Sequence, residues 1–184
     1  MTTNPNDLTT LATLQNYLSP GSSDTVLLQR LLTSASIAIE NYLNLDIISQ
    51  SYSDVYDGNG RRVMFLPQSP ITAVASVTVN GNTIPAGSVT AAGFYFTKDK
   101  IILNGYEFCK GYGNVAIAYT AGYAAAPPDI EQFCIGTVQY WLNDRQRAGE
   151  VSKTMGGQTI SYSQADMPNW VKTGLSQLKR VIPV

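Results

Sequence analysis

The fold is decided by the stretch Gly113–Arg147, which reads GNVAIAYTAGYAAAPPDIEQFCIGTVQYWLNDRQR. Residues 115–119 alternate as a β-strand does, and the chain then crosses Ala121-Gly122 and a run of alanines. Pro127-Pro128-Asp129 follows, and proline followed by an acid is typical of a helix start. The stretch therefore predicts a strand joined to a long helix over residues 129–148, with no reactive side-chain pattern along the join.

Two further helices are predicted in the first quarter of the chain. Asp7 is a candidate N-cap for a helix over residues 7–18, whose leucines recur at helical spacing. Asp24, with the two serines before it, can cap a second helix over residues 24–44. The apolar stripe of this second helix recurs at i, i+3, i+4 and i+7, and it consists of Leu28, Leu31, Leu32, Ala35, Ile39, Tyr42 and Leu43. We expect this stripe to lie in the core.

The β portion, about residues 49–120, contains three hairpin patterns. Each has two apolar-alternating runs around residues that tolerate a positive φ or a tight turn. The predicted pairs are 52–56 with 61–66 around Asp57-Gly58-Asn59-Gly60, 74–79 with 83–84 around Asn80-Gly81-Asn82, and 94–96 with 101–103 around Lys98-Asp99-Lys100. Residues 115–119 then complete one compact antiparallel sheet, which is unlike the parallel sheets of nucleotide-binding folds.

The C-terminal part predicts a small hairpin and a last helix. Met155-Gly156-Gly157-Gln158 is a turn between polar strands over residues 151–154 and 159–163, and a helix follows over 168–180. The fold class is therefore α+β, a small helical bundle with an inserted antiparallel β portion and a C-terminal hairpin-plus-helix arm. We expect one domain over residues 1–149 and the arm over residues 150–184.

The composition argues against strong binding to nucleic acid and leaves two explanations for the low charge content. The chain has 184 residues, of which 44% are hydrophobic and only 14% charged, with a net charge of −1. No global field attracts it to phosphate. So few charges suit a surface that other subunits cover, or a soluble protein rich in Ser, Thr and Asn. Residues 1–60 carry six acids against Arg30, and residues 151–184 carry four bases against Asp166. This asymmetry arises by chance or matches the two ends to different partners.

Residues that carry chemistry are scarce. The chain has no histidine, which removes the usual general base and metal ligand. Cys109 and Cys134 lack metal-ligand spacing and are predicted to be free, mostly buried thiols. The acids that remain, such as Asp54 with Asp57, or Glu107, suit solvated strands and turns. We therefore predict no catalytic residue, no metal and no cofactor, and we expect the chain not to be an enzyme.

The order of elements resembles the head–tail connector (adaptor, head-completion) proteins of tailed double-stranded DNA phages and prophages. The resemblance spans nearly the whole chain and has no catalytic motif in it. It is carried by LTTLATLQNYL (8–18), LLQRLLTSASIAIENYLNLDI (27–47), YSDVYDGNGRRVMFLPQSPITAVASVTVNG (52–81), NVAIAYTAGYAAAPPDIEQFCIGTVQYWLNDR (114–145) and MGGQTISYS (155–163). The β portion is larger than in the shorter relatives, and it serves either as a docking surface or as a clamp between subunits.

The resemblance implies a structural protein of the virion. It implies a ring of twelve copies beneath the portal, which extends the channel for double-stranded DNA and gives a docking platform for a downstream neck or tail-completion protein. Within the arm we expect a partner interface, for a neighbouring copy or the portal, at Lys153, Met155, Trp170, Lys172, Lys179 and Arg180. The N-terminus has no signal-peptide pattern and no apolar run is long enough for a membrane span, so we expect assembly in the host cytoplasm.

Two alternatives stay open at this point. The first is another ring-forming neck or tail-completion protein, against which the long helices over 24–44 and 129–148 count. The second belongs to a different class, a small hydrolase that uses two carboxylates brought together by the fold.

Overall fold

The structure is a computed structural model, and it describes residues 4–18, 24–145, 152–155, 158–161 and 166–179. The helices are α1 (Leu11–Leu18), α2 (Thr25–Leu43), α3 (Pro128–Arg145) and α4 (Asn169–Ser176). The strands are β1 (Gln50–Gly58), β2 (Val63–Phe65), β3 (Ile71–Val79), β4 (Asn82–Ile84), β5 (Gly93–Phe96), β6 (Lys100–Asn104), β7 (Gly111–Ala121), β8 (Ser152–Met155) and β9 (Gln158–Ser161). The α+β class is confirmed.

The chain divides into two compact units. The helical unit lies within Met1–Asn44 and Ala126–Lys179, and the β unit is formed by Leu45–Ala125. The division into a 1–149 domain and a 150–184 arm stays a prediction. Within the helical unit α4 packs on α2 and α3.

Helix α2 begins and ends where the sequence indicates. The Asp24 carboxylate accepts a hydrogen bond of 3.0 Å from the Leu27 backbone N–H, which satisfies one of the free amides of the first turn. Asn44 ends the helix in the left-handed conformation, with φ of 53°. The buried side of the helix carries the predicted stripe in part, since Leu28, Leu32, Ala35, Ile39 and Leu43 are buried and Leu31 and Tyr42 are half-buried.

Helix α1 is shorter than predicted, because its cap is Thr10 and not Asp7. The Thr10 hydroxyl accepts a hydrogen bond of 3.1 Å from the Thr13 N–H, and the helix starts at the next residue, Leu11. The Asp7 carboxylate instead accepts a hydrogen bond of 2.6 Å from the Gln29 side chain on α2. The Asp7 side chain therefore makes a tertiary contact with α2 and does not cap α1.

The β unit holds two sheets instead of the single predicted one. A four-stranded sheet has the order β1-β7-β3-β4 and a three-stranded sheet has the order β2-β6-β5, and all pairs are antiparallel. The hairpins β3–β4 and β5–β6 are confirmed. In the first of them Asn80 and Gly81 both have positive φ, as a two-residue turn between twisted strands requires.

The predicted hairpin of residues 52–56 with 61–66 is wrong. Strand β1 pairs along its length with β7, and β2 pairs with β6 in the other sheet. The turn after β1 is built locally, since the Asn59 side chain accepts from the Arg61 N–H and donates to the Val63 carbonyl. Its glycines and asparagine tolerate a chain reversal, but they do not decide which strand becomes the partner.

One apolar core fills the β unit. It combines inward-facing side chains of the four-stranded sheet, such as Val77 and Ile117, with those of the three-stranded sheet, such as Ile101 and Leu103. Residues on a strand alternate between the two faces of a sheet, so each sheet contributes one face to this core and turns the other away from it.

Candidate assembly surface

Helix α4 is anchored in the helical unit by its apolar side. Val171 and Leu175 are fully buried, and Met167, just before the helix, is buried as well. The Tyr42 hydroxyl on α2 donates to the Lys172 carbonyl over 3.4 Å. The opposite side of α4 is exposed and is the part of the predicted interface that the structure describes best.

Trp170 is held on this exposed side by close packing against α3. Its side chain is 53% exposed, yet its ring lies so near Gly136 that a Cβ there would be 2.4 Å from the indole Cζ2. The Phe133 ring lies 5.8 Å from the Trp170 ring, centroid to centroid, and itself occupies the space above Gly174. Two glycines therefore position an aromatic pair that still offers the indole to a partner.

A groove runs along Trp170 and has a volume of about 360 Å³. Its walls carry no charged side chain and are formed by Gly136, Gln139, Tyr140, Asn143, Pro168, Asn169 and Trp170. Amides and aromatic rings bind uncharged peptide segments by hydrogen bonds and apolar contact, at a low cost of desolvation.

The two lysines near α4 differ in their surroundings. Lys172 is half-buried on the helix, whereas Lys179 follows the helix and is exposed. The Lys179 Nζ lies 5.2 Å from the centre of the Tyr42 ring, within the range of a cation–π contact. Both can attract an acidic partner while their stems cover apolar surface.

The other three predicted interface residues are Lys153, Met155 and Arg180. Lys153 and Met155 lie in β8, where they pair with Ile160 and Gln158 of β9, and their side chains are outside the described part of the structure. Arg180 lies outside the described residues. Of the predicted residues, Trp170 and Lys172 lie on α4 and Lys179 follows its end. The Trp170 ring contacts α3, whereas the Lys172 carbonyl and the Lys179 Nζ lie at Tyr42 of α2.

Two acids of the β unit and the buried thiol Cys134 have hydrogen-bond partners. Asp54 in β1 accepts hydrogen bonds from the Tyr56 hydroxyl at 2.9 Å and the Tyr119 hydroxyl at 3.4 Å. Burial, followed by the hydrogen bonds to Tyr119 and Asp54, raises the pKa of Tyr56 well above its ordinary value. Burial also raises the pKa of Tyr119, and it raises that of the Cys134 thiol to about 12. A thiol with so high a pKa is inert at neutral pH.

Both cysteines are free, as predicted, with Cys134 buried and Cys109 half-buried. Among the described residues, no three His, Cys, Asp or Glu side chains are grouped as metal ligands. Asp57, the proposed partner of Asp54 in a hydrolase, accepts a hydrogen bond of 2.6 Å from the Gly113 N–H. Both carboxylates are therefore engaged within the β unit.

A sequence comparison assigns the family. The model of the family described as "Head completion protein" matches residues 7–181. The chain belongs to the head completion protein family. The resemblance to phage head–tail connector proteins is therefore confirmed, and a head completion protein is a structural component of a phage-like virion, at the junction of head and tail.

Solved structures share the fold of this head completion protein. One similar chain comes from the "Neck of empty GTA particle computed with C6 symmetry", with 22% identity and a TM-score of 0.64 over 100% of this chain and 95% of the other. A second comes from the "Neck of native GTA particle computed with C12 symmetry", with 18% identity, a TM-score of 0.63 and coverages of 100% and 94%. A third, from the "Virion of native gene transfer agent (GTA) particle", has 21% identity, a TM-score of 0.61 and the same coverages. No curated protein matches the chain.

The sequence of this head completion protein indicates only weakly that α3 packs against the Trp170 ring. Gly136 interrupts the apolar pattern of α3, and a glycine inside a helix usually has a packing reason. Phe133 is half-buried against Trp170. No sequence pattern indicates that Gln139 and Asn143 line a groove. None of the described helices is both long and apolar enough to span a membrane.

Proposed function

We propose that this head completion protein forms a ring of twelve copies between the portal and the tail of a phage-like particle. The family match over residues 7–181 carries this proposal. The full-length similarity to chains from GTA necks computed with C6 and C12 symmetry supports a ring of this order. A ring repeats one interface between two different faces of the subunit until it closes.

In this role the ring extends the channel through which double-stranded DNA passes and presents a platform to a downstream neck or tail-completion protein. A chain with a net charge of −1 has little overall attraction for the phosphate backbone. Its contribution is therefore to guide the DNA without holding it. Assembly in the host cytoplasm precedes its place in the virion.

The α4 surface, defined as Trp170, Lys172 and Lys179, is proposed to bind the portal or a neighbouring copy. Tryptophan is enriched among the residues that dominate binding energies, and here its ring is already fixed by α3. Lys153, Met155 and Arg180 extend the same proposed interface along residues 150–184. Opposite charge balances in the two ends of the chain favour contact between different copies.

The protein is proposed to act by assembly and not by catalysis. The carboxylates that a hydrolase would use are bound within the β unit, Asp54 by two tyrosine hydroxyls and Asp57 by a backbone amide. The buried Cys134 thiol has a pKa of about 12, which keeps it protonated. These features support a structural role for the groups with reactive potential.

The test is reconstitution with the portal protein encoded in the same genome. Native mass spectrometry and negative-stain imaging of the mixture should show portal rings that carry an added layer of this chain. Trp170→Ala should reduce that binding at least tenfold, while Thr173→Ala, on the exposed side of the same helix, should leave it unchanged. A chain that remains monomeric and does not attach to the portal ring would contradict the proposal.

Deletion of residues 150–184 is a less clean test than these substitutions. It would remove the buried Val171 and Leu175 and uncover the apolar sides of α2 and α3. Loss of assembly would then have two explanations. A substitution on the exposed side of α4 leaves the core intact.

A further inference from the structure

The two outer faces of the β unit differ sharply in side-chain size. Because both sheets share one core, their outer faces point to opposite sides of the unit. On the four-stranded sheet the cross-strand rows consist of Val55, Ala116 and Thr78, then Ser53, Ala118 and Ser76, then Ser51, Thr120 and Ala73, with Thr83 beside Thr78. We name these residues the small-residue face.

The small-residue face is exposed and has no charge. Val55 is 64% exposed, and Ser53 and Ala116 are exposed too. Charged residues occupy about a quarter or more of an ordinary protein surface, whereas the first one on this side of β1 is Asp57, at the end of the strand. Side chains this short lose little rotamer entropy when they are covered, and they allow close approach to the backbone. Covering this face therefore costs little conformational entropy.

The outer face of the three-stranded sheet has the opposite character. One row joins Val63, Ile102 and Tyr95, and the next accessible row joins Phe65 and Lys100. Phe65 is 38% exposed, and the Lys100 Nζ lies 5.7 Å from the centre of its ring. We name these five residues the aromatic face. It offers projecting apolar groups and one cation, with no acid.

We propose that the β units of neighbouring copies stack head to tail, with the small-residue face of one copy against the aromatic face of the next. This inference rests on the proposed ring. A closed ring needs two different complementary faces on one subunit, and these two lie on opposite sides of the β unit. Projecting rings fit over short side chains, and Lys100 is complemented by the acid that ends β1, Asp57.

The area of the proposed contact indicates how much of the interface between two copies the stack provides. The ten side chains of the small-residue face cover roughly 330 Å² at ordinary sheet spacings. A standard stable interface buries about 800 Å² on each partner. The stack is therefore less than half of an interface, and the rest of the subunit must contribute the remainder. A charge placed inside it should nevertheless prevent closure, because an unpaired buried charge is costly.

The first test places one charge on each face of the full-length chain. Ala118→Glu blocks the small-residue face and Phe65→Glu blocks the aromatic face. Each variant should lower the fraction of ring at least tenfold in native mass spectrometry, alone and with the portal ring. Ala91→Glu, the same change in an exposed loop of the β unit, should leave the ring unchanged. Circular dichroism verifies folding, and Ser53→Glu, on the exposed side of the edge strand, replaces Ala118→Glu if that variant does not fold.

The second test uses the direction of the interface. Each blocked variant retains one intact face, so an equimolar mixture of Ala118→Glu and Phe65→Glu should form a one-to-one dimer and no ring. A ring formed by either variant alone, or a mixture without dimer, overturns the stacking and leaves the proposed function intact. A wild-type chain that forms no ring even with the portal overturns both. Dimers of one variant by itself would also overturn the head-to-tail arrangement.

Discussion

Gly136 shows how one residue decides the position of the Trp170 ring. A methyl group there would lie 2.4 Å and 2.5 Å from two carbons of the Trp170 ring, so the indole would have to leave its place. Gly136→Ala gains about 1 kcal/mol of helix propensity, while overpacking costs about 1–3 kcal/mol. We expect a net loss of up to about 2 kcal/mol in urea unfolding followed by circular dichroism.

The matched control for this substitution is Ser34→Ala, at an exposed position of α2. It reports the propensity gain alone and should be neutral or slightly stabilising. If Gly136→Ala were as stable as this control, the close packing of the indole on α3 would not hold.

The raised pKa values of Tyr56 and Tyr119 predict that the folded protein loses stability at alkaline pH. Their pKa values are raised in the folded state, chiefly by burial, so the folded protein keeps these protons longer than the unfolded chain does. Their stabilising contribution is complete below about pH 10, the ordinary pKa of tyrosine, and decreases as the pH rises above it. For each such tyrosine the free energy of unfolding should fall by about 1.4 kcal/mol per pH unit.

The measurement is chemical unfolding between pH 9 and 11. Tyr56→Phe removes one of the protons that the unfolded chain loses, so the slope averaged over this range should become shallower by about 0.7 kcal/mol per pH unit. Tyr112→Phe, at the most exposed tyrosine of the β unit, controls for the loss of any tyrosine. A slope that Tyr56→Phe leaves unchanged would show that this hydroxyl does not stay protonated in the folded state.

At the scale of elements, local patterns located the helices and strands, and tertiary contacts decided their partners. Helix α2 could be predicted to within one residue because its stripe and its cap agree. The start of α1 was missed because Asp7 and Thr10 both have capping side chains, and only the contact with Gln29 distinguishes them. The pairing of β1 with β7 joins residues some 60 positions apart, which no turn signal encodes.

The candidate site was predicted only in part for the same reason. Trp170 and Lys172 could be named from the sequence, since both stand in a short terminal helix. The aromatic pair and the groove could not, because they depend on where α3 meets α4. The glycines at the close contacts, Gly136 and Gly174, are the residues of the sequence that indicate this packing of α3 on α4.

The cap of α2 gives a prediction at this scale. Asp24→Ala removes the acceptor for the Leu27 N–H and should destabilise the protein by about 1 kcal/mol in urea unfolding. Asp24→Asn keeps an acceptor oxygen at the same place and should retain most of the stability. Equal losses in the two variants would assign the effect to the negative charge near the helix N-terminus instead of the hydrogen bond.

At the scale of the whole molecule, the low charge content has a consistent meaning. The small-residue face and the groove beside Trp170 both lack charged side chains. The charges of the β unit lie mainly at turns and strand ends, apart from Asp54 inside β1. The small-residue face is thus separate from the lysines of the α4 surface, which can attract a partner at a distance.

This separation predicts different salt dependences for the two proposed contacts. Above about 0.5 M NaCl the Debye length falls to a few ångströms, so attraction through Lys172 and Lys179 should weaken severalfold. The stack of β units, in which Lys100 and Asp57 form the one proposed charge pair, should largely persist, because burial of apolar surface does not depend on screening. Native mass spectrometry after exposure to 0.05 and 1 M NaCl, with sedimentation in each buffer, should show intact rings that have separated from the portal. Rings that fall apart at high salt would mean that charged contacts hold the copies together, which the single proposed pair of Lys100 and Asp57 does not explain.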